Sequence, residues 1–291
     1  MNTKLAVIVL FISSAGWGLT WLPIKYINDM GLDSMHLIFI AFLSGSIVLL
    51  PWLIKQRHFW LGSIVLMLAI GLSGGIANAA FQTAIVKGDV IRVMILFYML
   101  PIWSVIGGRI FLHEKIDNLR ILAVLMCLIG AGFILDIKNT SWQGISYIDL
   151  LALCSGLGLA ITNILFRFTQ HIPVMSKVAI MFIGCVILIA ISMMIFPNDI
   201  SLPDNSSVFL SVLYGALWLT LISTGTQWGV TQIEAGRSSV IIVTELVVAV
   251  ISAAILTASS LGIPEIIGGL LVIGAAVIEG VRSDDLDPKL N

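Results

Sequence analysis

Residues Gly62 to Val86 read GSIVLMLAIGLSGGIANAAFQTAIV, twenty-five in a row without a charge. As a helix rising 1.5 Å per residue, such a run is long enough for a hydrocarbon core about 30 Å thick. Its apolar residues are continuous and do not alternate with period two, which favours a helix over a barrel strand. It also carries two amides, Asn78 and Gln82, four residues apart and so on one helix face. A membrane helix that keeps two amides has to find them partners.

Nine further runs flank it: Leu5–Tyr26, Ser34–Ile54, Val90–Leu112, Asn118–Leu135, Tyr147–Phe168, Pro173–Phe196, Ser207–Gln232, Ser238–Thr257 and Ile263–Val281. Charged residues are 11% of the chain, hydrophobic residues 59%, and the mean hydropathy is +1.09. A soluble domain carries about 25% charged residues. These numbers make the chain an integral membrane protein and leave no room for a nucleotide-binding domain, a receptor ectodomain or a cytoplasmic enzyme. The net charge of -1 offers no field for nucleic acid. Cys127, Cys154 and Cys185 lie singly in apolar runs and read as small buried hydrophobes, with no disulfide or zinc spacing. The first run is too long for a signal-peptide core and reads as the first membrane helix.

Positive charge orients the bundle. With the N-terminus in the cytoplasm, eleven Lys and Arg fall on that side: Lys4, Lys55, Arg57, Arg109, Lys115, Arg120, Arg167, Lys177, Arg237, Arg282 and Lys289. Four fall outside: Lys25, Lys87, Arg92 and Lys138. Both termini are therefore expected in the cytoplasm. Five runs in each half force the second half to enter from the opposite face, so related halves form an inverted repeat. A shift of 145 residues superposes Gln82 on Gln227, Asp89 on Glu234 and Arg92 on Arg237. Inverted repeats are a hallmark of secondary transporters, with the substrate site at mid-membrane between the halves.

Gly16-Trp17-Gly18 with Lys25 at the end of the first run, Phe97-Tyr98-Met99-Leu100-Pro101-Ile102 in the fourth and Phe111-Leu112-His113-Glu114 after it resemble EamA-type transporters of the drug/metabolite transporter superfamily. Where that family often has an acid before proline in each half, this chain has Leu100 in the first and Glu245 followed by Leu246 in the second. His113 replaces a glycine, and Thr257-Ala258-Ser259-Ser260 replaces a Gly-Glu pair. The resemblance spans the whole chain. It implies a carrier of small metabolites, amino acids or related amphipathic compounds among them, with export as the first expectation and uptake as the alternative.

Glu245 is the sharpest single signal. A carboxylate inside the ninth run costs about 2.5–3.5 kcal/mol on insertion scales unless it is paired or solvated. It reads either as a coupling or cation-contacting acid in a wet cavity, or as a neutral acid bonded to a neighbouring helix. Arg92 either meets an anionic group at the outer mouth or snorkels to the headgroups. Lys25 and Arg167 read as end anchors, and Glu279 as the partner of Arg282 one turn on. Asn78, Gln82, Asn163 and Gln227 either line a cavity or join helices. Trp17, Trp21, Tyr98, Trp103 and Trp228 lie deep and either wall a pocket or pack helices, whereas Trp52, Trp60 and Trp142 read as interface belt. Pro23 and Pro101 each free a backbone carbonyl and mark kinks.

The expected architecture is all-α, with ten transmembrane helices in two inverted five-helix repeats, residues 1–136 and 147–282, and a cytoplasmic tail, 283–291. The expected activity is secondary transport across a bacterial inner membrane by alternating access. A small molecule and membrane lipid are the expected partners, with no cofactor, metal or nucleic acid, and the chain is read as a monomer or homodimer. Two other classes stand beside it. An intramembrane lipid-modifying enzyme would need a catalytic cluster at one interface, and the sequence offers none. A passive channel would conduct without saturating.

Overall fold

The computed structural model describes residues 3–137, 144–196, 204–258 and 261–282. The readings placed on Lys138, Trp142, Ser259, Ser260, Lys289 and the tail 283–291 lie outside them. Ten helices follow one another: α1 Thr3–Asp29, α2 Ser34–Lys55, α3 Arg57–Lys87, α4 Val90–Phe111, α5 Asn118–Ile134, α6 Tyr147–Phe168, α7 Val174–Ile195, α8 Asn205–Gln232, α9 Ala235–Thr257 and α10 Ile263–Gly280. Among the described residues, nine are long and apolar enough to cross a membrane. The tenth, α5, has 17 residues, which is the lower limit of a span.

Helix starts follow local chemistry. The Asp33 carboxylate accepts from the N–H of Met35 at 2.9 Å and of His36 at 3.4 Å, capping α2. Asp89 and Asp117 cap α4 and α5 in the same way. Ser146 and Asp149 form a reciprocal capping box on α6. Asp33→Ala is expected to cost about 1 kcal/mol, read as a lower melting temperature of the detergent-solubilised protein.

Three spans that the sequence presents as continuous are interrupted. α1 divides into Thr3–Gly18 and Trp21–Asp29, α4 into Val90–Phe97 and Leu100–Phe111, and α9 into Ala235–Ile242 and Thr244–Thr257. Pro23 and Pro101 fall in the first turn of the second pieces of α1 and α4. There a missing N–H has no intrahelical acceptor to lose. α9 breaks without a proline. The Thr244 hydroxyl donates to the Ile241 carbonyl at 2.7 Å and satisfies a group near the break. α8 contains a π-helical stretch, Tyr214–Leu219.

The 145-residue shift is visible in three dimensions. It carries Val90–Phe97 of α4 onto Ala235–Ile242 of α9, and the start of α5 at Asn118 onto the start of α10 at Ile263. Packing repeats as well. α3 packs on α7 as α8 packs on α2, α6 on α3 as α1 on α8, α4 on α6 as α9 on α1, and α5 on α10. Each of these pairs joins one repeat to the other, so the two repeats interlock. The main core gathers Leu10, Leu37, Ile70, Phe166 and Phe182, and a second cluster under α5 and α10 holds Cys127, Val240 and Val272. With ten crossings, α1 begins and α10 ends on the same side, here the near face; the opposite side is the far face.

Candidate functional site

The helix breaks lie where the two repeats meet, and they bring Tyr98 and Glu245 together. Tyr98 is the residue at which the first piece of α4 ends, and Glu245 lies in the first turn of the second piece of α9. The Tyr98 hydroxyl donates to Glu245 Oε1 at 3.1 Å across 147 residues of sequence. On the same face of α9, seven residues and so about 10 Å farther along the axis, Ser252 Oγ accepts from Trp21 Nε1 at 3.0 Å. That bond ties the second piece of α1 to α9.

A second group of polar side chains lies on α1, α4, α6 and α8. Gln227 Nε2 donates to Asn163 Oδ1 at 3.3 Å, and both residues are buried. One bond cannot satisfy two amides. Asn163 Nδ2 and Gln227 Oε1 find no protein partner among the described residues. The same holds for Trp103 Nε1, Ser14 Oγ, Ser104 Oγ, Ser223 Oγ, Thr224 Oγ1 and Thr226 Oγ1. Buried polar atoms are nearly always hydrogen-bonded, so this concentration of unmet donors and acceptors marks where a polar molecule or water belongs.

The other expected site residues are placed as follows. Trp17, Trp103 and Trp228 are half-buried against the main core. Asn78 donates back to the Gly74 carbonyl of its own helix at 2.9 Å. Gln82 is half-buried, one turn farther along α3. Arg92 is paired: its Nε donates to Asp149 Oδ1 at 2.6 Å and its Nη2 to Oδ2 at 2.5 Å, with a further bond to the Gly144 carbonyl at 2.5 Å. This fork–fork pair ties α4 to α6 at the far face.

Arg167 departs from its reading as an end anchor. It is turned inward and donates to the Thr231 carbonyl at 3.0 Å. Lys177, which the sequence offers only as a cytoplasmic charge, is fully buried. Its Nζ donates to the carbonyls of Phe166 at 2.8 Å and Thr169 at 3.1 Å, at the C-terminus of α6. A cation belongs there because the helix dipole is negative at that end.

The near face carries an ion network that the sequence does not reveal. Arg120 of α5 is 1% exposed and reaches three acids: Glu234, Glu279 at 3.4 Å and Glu114 at 3.6 Å. The Glu114 carboxylate also accepts from the N–H of Ala235 at 2.8 Å and of Gly236 at 3.3 Å, at the start of α9. Burial pushes the Glu114 carboxyl above its usual range, and these N–H groups act against that rise. Arg282 pairs with Asp117, and with Glu279 at 3.6 Å as the sequence spacing implies. Arg237 donates to the carbonyls of Glu279 and Arg282, both at 3.0 Å. First-repeat residues Glu114, Asp117 and Arg120 are thus bound to second-repeat residues Glu234, Glu279 and Arg282. The Arg92–Asp149 pair on the far face and the network on the near face leave the tyrosine–glutamate pair and the unmet amides between two layers of ion pairs.

Proteins of curated function give no match to this chain. A protein solved by crystallography is similar in fold, with a TM-score of 0.78 at 15% identity over 97% of this chain and 100% of the other. The sequence profile of the EamA-like transporter family matches residues 4–136 and again 146–279, once for each five-helix repeat. With both repeats matched over nearly the whole length, the chain belongs to the EamA-like transporter family.

Proposed function

We propose that this chain is a secondary transporter of the bacterial inner membrane that moves small amphipathic metabolites by alternating access, with export of amino acids or related compounds as its first activity. The observation that carries the reading is the group of unpaired polar atoms around Asn163 and Gln227, on the row of neighbouring helices α1, α8, α6 and α4. Polar atoms held without partners in apolar surroundings are costly, and a bound polar substrate repays that cost. Trp17, Trp21, Trp103 and Trp228 supply apolar and π surface for the body of such a molecule. Asn78, Gln82 and Tyr98 extend the polar lining along α3 and α4.

The two ion-pair layers support alternation. A carrier of this kind must break one layer while the other holds, and here each layer joins residues of different repeats. The excess of Lys and Arg on the near face supports a cytoplasmic placement of that face and of both chain ends.

The test begins with thermal-shift titration of the purified protein against amino acids, nucleosides and polyamines. A hit at about 100 Kd adds about 2.7 kcal/mol to the folded state. The hit is then followed in proteoliposomes. Wild type is expected to show saturable counterflow. Gln227→Ala and Asn163→Ala are each expected to lower it at least about tenfold, which corresponds to about 1.4 kcal/mol, the scale of one lost buried hydrogen bond. Flux that never saturates, or both variants carrying substrate at the wild-type rate, would remove the reading.

A further inference from the structure

Among the described residues, five acids have an arginine partner. Asp149 has Arg92, Asp117 has Arg282, and Glu114, Glu234 and Glu279 share Arg120. Glu245 has none of these arrangements. Among the described residues no Lys, Arg or His nitrogen forms an ion pair with it, and its hydrogen bond comes from the neutral hydroxyl of Tyr98. Its depth sets it apart too. Every other Asp, Glu, Lys, Arg or His in a described span lies within about five residues of a helix end, whereas Glu245 is near the middle of α9. A carboxylate kept at that depth is a functional group by default.

Aromatic side chains reach this part of α9 from α1 and α4. α1 comes in close because Gly18 has no side chain; a Cβ there would meet the Glu245 carbonyl and lie 2.9 Å from Val248 Cβ. The aromatic rings of Trp17 and Trp21 flank that contact in sequence, and Trp21 is fixed to Ser252 on the Glu245 face of α9. Tyr98 approaches from α4. A carboxylate with tyrosine and tryptophan nearby is the chemistry that holds an alkylammonium group, through a charge-assisted hydrogen bond and cation–π contact.

Among the described residues, every buried or half-buried Lys and Arg is already engaged. Arg92 is engaged by both oxygens of Asp149, and Arg120 and Arg282 are held by carboxylates. Arg167, Lys177 and Arg237 donate to backbone carbonyls. An acceptor on the substrate meets neutral donors, Trp103 Nε1 and Asn163 Nδ2. We propose that Glu245 is the charge-selecting group of this carrier, and that it selects the protonated amine of an amphipathic substrate whose net charge is zero or +1. The proposal rests on the transport reading above. The 145-residue shift puts Leu100 at the equivalent place in the first repeat, so one positive charge is accommodated per passage.

Three probes of one shape test it on the full-length protein in detergent: phenethylamine, 2-phenylethanol and 3-phenylpropionate. Binding is followed by quenching of the native tryptophans, and carriage by counterflow of labelled phenethylamine. Wild type is expected to bind the amine at least tenfold more tightly than the alcohol, and the carboxylate most weakly. Glu245→Gln is expected to bring the amine and the alcohol within about twofold of each other and to abolish amine counterflow. Glu245→Asp and Tyr98→Phe keep the charge and are expected to keep the amine preference, so a folding failure of the glutamine variant cannot decide the matter alone. Tightest binding of the carboxylate, no amine preference in wild type, or an amine preference that survives in Glu245→Gln would each overturn the proposal. If the alcohol or another hit still gives saturable counterflow sensitive to Gln227→Ala, transport stands and only the charge selection falls.

Discussion

A methionine at Arg120 is expected to lower the stability of the bundle by about 3–5 kcal/mol, the cost of removing one partner from a buried ion pair. The guanidinium is 1% exposed and faces Glu114, Glu234 and Glu279, of which Glu279 is fully buried. Without it three carboxylates face one another in a poorly solvated site, where Glu114 keeps the N–H groups of Ala235 and Gly236 and Glu279 keeps Arg282 at 3.6 Å. The favourable part of the network is thus small beside the penalty for breaking it. That separation is testable: Arg120→Met combined with Glu234→Gln and Glu279→Gln removes charges of both signs and is expected to recover much of the loss, since residues in one network couple rather than add. Denaturant titration in mixed micelles, followed by tryptophan fluorescence, measures both. A loss below about 1 kcal/mol for the single variant is what a solvent-screened surface pair would give, and it would mean that water reaches the near-face layer.

The spans were legible because apolar runs of some twenty residues have one physical solution in lipid, the helix. The 145-residue shift was legible from Gln82 and Gln227, Asp89 and Glu234, and Arg92 and Arg237, and the starts of α4 and α9 and of α5 and α10 follow it. The interruptions were legible only where Pro23 and Pro101 mark kinks beside the breaks of α1 and α4. Apolar content does not change across Gly18–Trp21 or at Val243, and α9 carries no proline to mark its break. The Arg120 network was invisible for another reason: Glu234 and Glu279 lie 114 and 159 residues away, and no local spacing encodes such a meeting. Lys177 and Arg167 resembled ordinary end charges until their carbonyl partners were seen. The Ser146–Asp149 capping box, seen only in the structure, fixes the acid that claims Arg92. Of the deep residues singled out in sequence, the structure joins Tyr98 to Glu245 and Asn163 to Gln227.

Valine at Gly184 is expected to destabilise the protein by about 1–3 kcal/mol or more, because the two repeats touch there through bare backbone. A Cβ on Gly184 of α7 would collide with the Gly71 carbonyl of α3, and one on Gly75 would lie 2.6 Å from the Gly184 carbonyl. Backbone atoms cannot step aside as a flexible side chain can, so α3 and α7 must separate along their length. The mirror interface between α8 and α2 makes the comparison sharper. Gly215 of α8 meets the Ala41 carbonyl and the Ser44 hydroxyl. Gly71 and Gly215 are 144 residues apart, whereas Gln82 and Gln227 are 145 apart. The one-residue slip falls where the π-helical stretch Tyr214–Leu219 inserts its extra residue. Gly215→Val is therefore expected to cost less than Gly184→Val. A π turn is already off the regular helical ladder, and part of its obstruction is a serine hydroxyl that can rotate. Melting curves of both variants beside wild type decide it. Equal losses would mean that the π turn gives no slack, and a neutral Gly184→Val would mean that α3 and α7 are not in backbone contact.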